Sequence, residues 1–266
     1  MTIFSKEALK GEHIIVTGAT GGIGYEAAKE IVRAGGHVTI TGRNEEKLSS
    51  LREDCASING AAQIYVSVAD LNKTEDRKKI VHDAAQAIGP VTGVVNSAGI
   101  IGGGPLEDLT EEEMRKVMEL NYFSTVLFTQ EAFQMMKANG KGSIVNLSSL
   151  SGLRGTHSNT AYSASKFAIT GFTQSFAFEA IEHGIRVNAV CPGYVDTAMG
   201  QEAIRSKGER EGRSYEEQRT LAEEGIPSGR LSSPEEVARS IVYLLSSASE
   251  NIIGESLKVS GGTVMR

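Results

Sequence analysis

At 266 residues, with 40% hydrophobic and 23% charged residues, the chain has an ordinary globular composition and the length for one substantial core. Its formal charge of −6 argues against nucleic acid and anionic lipid as partners, because both need a basic patch. No window approaches the roughly 18 continuous apolar residues of a membrane span, and Met1 to Gly11 has neither a signal-peptide core nor a basic transit pattern, so the expected location is cytoplasmic.

In chain order, apolar β-rich runs fall at His13 to Thr17, His37 to Thr41, Gln63 to Ser67, Val91 to Asn96, Ser143 to Leu147, Arg186 to Cys191 and Ser256 to Val259. Between them, apolar residues recur at three- and four-residue intervals near Ile23 to Ala34, Glu45 to Ser57, Thr74 to Ala87, Glu111 to Lys137, Ala161 to His183 and Pro234 to Leu245. Thr110-Glu111-Glu112-Glu113 and Ser233-Pro234-Glu235-Glu236 read as helix caps. Strict alternation predicts an α/β fold: one doubly wound, Rossmann-type parallel sheet with helices on both faces and ligands beyond the strands' carboxyl ends. No repeat or composition shift divides residues 1–266, which are expected to form one catalytic domain. The long polar stretch from about 195 to 229 breaks the alternation and is expected to be a helical lid over the substrate. Cys55 and Cys191 lack zinc or disulfide spacing and read as reduced structural residues, with no metal site.

After the first strand comes Thr17-Gly18-Ala19-Thr20-Gly21-Gly22-Ile23-Gly24. Gly18, Gly22 and Gly24 permit a tight turn and a close approach to a pyrophosphate, and the following helix offers unpaired N–H groups to its charge. The spacing is not G-x-G-x-x-G, and a plain strand-to-helix turn is the competing reading. At the end of the second strand, Arg43 stands where an NAD site would carry an acid for the adenosine ribose. Its guanidinium suits a 2′-phosphate, which favours NADP(H) over NAD(H); the alternative is a solvated surface residue. Tyr162 and Lys166, four apart on a helix, share one face, and a nearby ammonium would stabilise a phenolate.

Taken together with Asp70-Leu71, Asn96-Ser97-Ala98-Gly99, Asn121, Ser148-Ser149, Tyr162-Ser163-Ala164-Ser165-Lys166 and Pro192-Gly193, these elements resemble the short-chain dehydrogenase/reductase family along essentially the whole chain. Ser97 stands where the family commonly has a second Asn; neighbouring backbone can still shape that turn. The resemblance implies that Tyr162 donates and accepts the proton and that Ser149, thirteen positions earlier, polarises the substrate carbonyl, with Ser148 and Ser151 as bland neighbours. It implies that Lys166 binds the nicotinamide ribose and lowers the Tyr162 pKa, and that Asn121 holds a relay water, a reading compatible with a helix-distorting Asn. For the cofactor it implies Gly18, Thr20, Gly22, Ile23 and Gly24 in the loop, Asp70 and Leu71 near the adenine, and Asn96, Ala98 and Gly99 beside the nicotinamide. Pro192, Gly193, Val195 and Thr197 would lie near the carboxamide. Asp70 equally suits a helix cap.

Within the family, Gly102-Gly103-Gly104, Val187 to Gly193 and the insertion before Ile226-Pro227 are most similar to bacterial 3-oxoacyl-thioester reductases and aromatic polyketide ketoreductases. The expected activity is NADP(H)-dependent reduction of a small-molecule ketone such as a 3-oxoacyl thioester. An NAD-dependent secondary-alcohol (3-hydroxy acid) dehydrogenase and a non-catalytic dinucleotide sensor are the alternatives. The resemblance also implies a homotetramer built through Pro234 to Gly262, although Ile241, Val242, Leu244 and Leu245 would serve equally in the monomer's core.

Overall fold

In the computed structural model, which describes residues 4–265, the β-rich runs become seven strands: β1 (His13–Thr17), β2 (His37–Gly42), β3 (Ile64–Val68), β4 (Gly93–Asn96), β5 (Gly142–Leu147), β6 (Ile185–Pro192) and β7 (Ser256–Val259). All pair in parallel, in the order β3-β2-β1-β4-β5-β6-β7. Direction of travel across the sheet reverses between β1 and β4, so their carboxyl ends, Thr17 paired with Asn96, flank the crevice of the doubly wound fold. Residues 1–3 and 266 of the expected domain lie outside the described residues.

The helices are α1 (Gly22–Arg33), α2 (Glu45–Ile58), α3 (Thr74–Ile88), α4 (Glu111–Met118), α5 (Ser124–Asn139), α6 (Thr160–Ile181), α7 (Ala198–Arg210), α8 (Tyr215–Glu224) and α9 (Pro234–Leu245). Alternate strand residues serve opposite faces. Ile14, Val16, Val95 and Val145 pack with Ile31 of α1, Leu48 and Leu51 of α2, and Ile241 of α9. Ile15, Val94 and Ile144 pack with Ile80 of α3, Phe128 and Ala132 of α5, and Ala177 of α6. Burying each of the larger of these side chains, the alanines aside, contributes about 1.5–3 kcal/mol. Ile241, Val242, Leu244 and Leu245 are all buried within this single chain, so α9 spends its apolar stripe on the monomer core. Exposed apolar side chains lie elsewhere, among them Phe167, Phe178 and Ile181 of α6 and Phe123.

The periodic segment Glu111 to Lys137 is not one helix. A π turn at Glu119–Phe123, closed by the Ser124 N–H donating to the Glu119 carbonyl, separates α4 from α5 and carries Asn121. An apolar repeat does not reveal such a break, because one inserted residue shifts the face while leaving the pattern helical. The capping boxes expected at Thr110/Glu113 and Ser233/Glu236 are present. The stretch 195–229 contains α7 and α8, which share a small cluster of Ile204, Ile226 and Leu231. No helix among the described residues is long and apolar enough to cross a membrane.

At the opposite end of the sheet, His13 is buried, with Nδ1 2.9 Å from the Gly89 carbonyl and Nε2 2.9 Å from the Thr39 hydroxyl. Burial pushes its pKa below the ordinary 6.5, partly offset by the bond to Gly89. The unfolded chain therefore binds a proton more readily, and stability is lost as pH falls from the unfolded value through the folded one. The drop in Tm between about pH 7 and about pH 5 is expected to shrink in His13→Gln, read by calorimetry; an unchanged drop would place the acid sensitivity elsewhere.

Candidate active site and cofactor cleft

The glycine loop is shaped by close approach. Gly18 has φ +63°, and a Cβ there would lie 2.6 Å from the backbone N and Cα of Ala98. A Cβ on Gly24 would collide with the Gly18 carbonyl, and one on Gly22 would lie 2.5 Å from the Thr197 methyl carbon. Thr20 leans on Gly42, where a Cβ would lie 3.0 Å from the Thr20 methyl carbon, and Ile23 packs against the core. Helix α1 opens on Gly21 with no side-chain cap and no acid in its first turn, features that α5 and α6 share. The free N–H groups and positive dipole end of α1 suit a pyrophosphate.

The loops after β2 and β3 carry the next candidate residues. Arg43 is exposed directly after β2 and has no hydrogen-bond or ion-pair partner among the described residues. Asp70 forms a local turn, its Oδ1 accepting from the Asn72 N–H at 3.1 Å, and it is not the helix cap that the sequence also suited: α3 opens on Lys73 with no side-chain cap. Leu71 buries its side chain in the core, and its carbonyl accepts from the buried Arg77 at 2.6 Å. Arg77 and Asp76, whose carboxylate accepts the Asp70 N–H at 2.8 Å, anchor this loop; neither figured in the sequence reading.

At the β4 end, Asn96 turns its side chain into the interior rather than toward the cleft. Its Nδ2 donates to Asn146 at 2.8 Å and Thr129 at 2.9 Å, and Asn146 donates on to Thr173 at 2.9 Å. A polar residue in a buried strand is stabilised by such partners, although the Asn96 Oδ1 has none among the described residues. The Thr17 hydroxyl accepts the Ser97 N–H at 3.2 Å and the Ala98 N–H at 3.4 Å, which shapes the turn at Ser97 without a second Asn.

Asn121 ties the next loop down. Its Oδ1 accepts the Ile100 N–H at 2.8 Å, and its Nδ2 donates to the Ile100 carbonyl at 2.9 Å and the Ser165 hydroxyl at 3.0 Å. Ser165 in turn donates to the Tyr162 carbonyl at 2.7 Å, so one buried Asn joins the β4 loop to the turn of α6 that carries Tyr162. Gly99 sits beside it: a Cβ there would lie 3.2 Å from Asn121 Oδ1 and 3.6 Å from Lys166 Nζ.

Geometry separates the three serines. Ser148 is buried, its hydroxyl bonded to the Lys166 carbonyl and to Thr170 at 3.0 Å each. The Ser151 hydroxyl is 3.1 Å from that of Thr156. Ser149 accepts the Ser151 N–H at 3.1 Å and lies beside the Tyr162 phenol. Lys166 is buried, donates to the Leu147 carbonyl at 2.7 Å and stands 5.6 Å from the centre of the Tyr162 ring. Burial pushes its ammonium down to about 8. The Tyr162 phenol is pushed above its ordinary value by burial, against the lowering pull of Ser149. In the protein alone desolvation of the phenolate therefore outweighs the Ser149 hydrogen bond, opposite to the direction implied by resemblance.

Opposite the glycine loop, Pro192 ends β6 and Gly193 donates to the Val259 carbonyl at 3.0 Å. Val195 bridges Ser232, and Thr197 caps α7 while its methyl meets Gly22. Cys191 is fully buried, with its thiol pushed up by desolvation, as suits a structural residue.

A doubly wound sheet with a glycine cradle beside β1 and a Ser–Tyr–Lys group beside β5 defines a dinucleotide-binding oxidoreductase. The family model for short chain dehydrogenase matches residues 12–208, and the chain belongs to that family. It is 32% identical to a 3-oxoacyl-[acyl-carrier-protein] reductase of Rickettsia bellii over 97% of this chain and 98% of that protein. It is 35% identical to 2-(S)-hydroxypropyl-CoM dehydrogenase 3 of Xanthobacter autotrophicus, over 96% of this chain and 97% of that protein. Among solved structures, a variant actinorhodin polyketide ketoreductase with NADPH superposes with a TM-score of 0.91 at 31% identity, covering 98% of this chain and 99% of that one.

Proposed function

We propose that this enzyme is an NADP(H)-dependent carbonyl reductase acting on a ketone such as a 3-oxoacyl thioester. The observation that carries the reaction is the grouping of Ser149, Tyr162 and buried Lys166 beyond the carboxyl end of β5. The nicotinamide, when bound, supplies the hydride. Ser149 hydrogen-bonds the carbonyl oxygen, and Tyr162 delivers its proton to the alkoxide that develops there. A phenol with a raised pKa is held protonated, which is the form that reduction requires. Lys166 retains most of its charge at neutral pH and stabilises the phenolate left after proton transfer. Asn121 acts through position, holding the Ile100 loop and the Tyr162 turn together.

Gly18, Thr20, Gly22, Ile23 and Gly24 cradle the pyrophosphate in this reading. Asp70 and Leu71 border the adenine, while Asn96 contributes through the strand end it stabilises. Ala98, Gly99, Pro192, Gly193, Val195 and Thr197 border the nicotinamide. The unpartnered Arg43 favours NADP(H), with the NADPH-bound ketoreductase as support. Helices α7 and α8 form the lid. A homotetramer would cover the exposed Phe167, Phe178 and Ile181 of α6. A cytoplasmic location is part of the same proposal.

The test is loss of reduced-nicotinamide absorbance with NADPH, then NADH, across 3-oxoacyl thioesters, cyclic ketones and quinones. Turnover with NADPH on a thioester supports the reading. Fast oxidation of secondary alcohols with NAD instead would favour the dehydrogenase reading, for which the hydroxypropyl-CoM dehydrogenase relative speaks.

A further inference from the structure

Asp196 lies between two of the proposed cofactor contacts, Val195 and Thr197, and its carboxylate is taken up by the helix pair beyond them. Arg219 of α8 grips it with both terminal nitrogens, at 2.9 Å to Oδ2 and 3.4 Å to Oδ1. Gln201 of α7 donates to Oδ1 at 2.9 Å. The Asp196 N–H donates to the Ser232 carbonyl at 2.9 Å, fixing the backbone from the other side. Arg219 is held in its own helix by Glu223 at 3.0 Å and by the Tyr215 hydroxyl at 3.3 Å. One residue later, the Thr197 methyl occupies the space that a Gly22 side chain would need.

We propose that the Asp196–Arg219 pair is a latch coupling the α7–α8 helices to the glycine loop, so that its closure and occupancy of the nicotinamide dinucleotide site reinforce each other. The inference rests on the cofactor reading above. The physical basis is linkage: whatever holds the Val195-to-Thr197 turn in register favours the cofactor, and the cofactor equally favours the closed latch. Both side chains remain about a third exposed, at 32% for Arg219 and 37% for Asp196, so the pair adds little to global stability and its effect is local. Asp196 and Arg219 are positioning residues, since neither is among the groups assigned to the cofactor or the substrate.

NADPH is titrated by fluorescence into Asp196→Asn, Arg219→Gln and the double variant, with Tm recorded for each. Each single change is expected to raise the Kd about fivefold with Tm nearly unchanged, and the double to be no weaker than the worse single, because one shared interaction is lost. Arg219→Lys, which keeps charge but not the two-pronged grip, is expected to fall between. Trypsin gives an independent readout at Arg210 and Arg213, which flank the exposed turn between α7 and α8. Saturating NADPH should slow that cleavage in the parent protein and much less in the variants. The latch is overturned if single-variant Kd values stay within about twofold, if the losses multiply in the double, or if cofactor protection persists without the pair. A parent protein that binds neither NADPH nor NADH overturns the cofactor reading itself and the latch with it, an outcome distinct from binding that ignores the pair.

Discussion

Tyr162→Phe is expected to lower kcat for carbonyl reduction by about 10³-fold while leaving the Kd for NADPH within about twofold. The change deletes one oxygen from a partly buried ring on α6 and leaves the ring's packing and the backbone bond from Ser165 in place. Only the proton donor disappears, so the developing alkoxide loses its acid and the loss falls on kcat. The parent enzyme should also show a pH profile with a specific direction. Lys166 is charged below about 8, and the phenol is held protonated beyond its ordinary range, so reduction is expected to run at neutral pH and decline as pH rises past about 8. Stopped-flow oxidation of NADPH across pH reads both quantities. A variant that keeps a tenth or more of the parent kcat would remove Tyr162 from the chemistry.

Arg43→Asp is expected to reverse cofactor choice, shifting the ratio of kcat/KM for NADPH to that for NADH by about 100-fold or more toward NADH. Two effects add. A charge-assisted pair with the 2′-phosphate is lost, and a carboxylate is placed where it repels that phosphate yet accepts hydrogen bonds from an unmodified ribose. Arg43 is exposed and unpartnered among the described residues, so neither packing nor an ion-pair network confuses the outcome, and Tm should stay within a few degrees. Arg43→Ala separates the effects, since it removes attraction without adding repulsion. An unchanged ratio in both variants would mean that Arg43 is a solvated surface residue.

Much of the site was legible because its signals are local. Gly18, Gly22 and Gly24 occur within one strand-turn-helix unit, and Tyr162 and Lys166 are one helical turn apart, so spacing alone puts each set together. The assignment of Ser149 needed family register, and the structure explains why its neighbours differ: Ser148 is committed to the Lys166 carbonyl and Thr170, and Ser151 to Thr156. Other features were hidden because they depend on contacts between distant segments. Nothing near Asn96 in the chain says that Asn146 and Thr129 will draw its amide inward. The apolar repeat from Glu111 to Lys137 does not mark the π turn that brings Asn121 against Ile100, although Asn121 itself suits a helix-distorting residue.

The sequence by itself determined the order of strands and helices, the doubly wound class, the glycine turn after β1 and the shared Tyr–Lys face of α6, because hydrophobic period, turn glycines and i,i+4 spacing act over a few residues. Only the tertiary structure decided that α9 belongs to the monomer core, that burial brings Lys166 down to about 8 while raising Tyr162, and that Arg219 reaches back to Asp196. Burial, desolvation and ion pairing depend on which segments the fold brings together, and those distances are set by packing across the whole sheet.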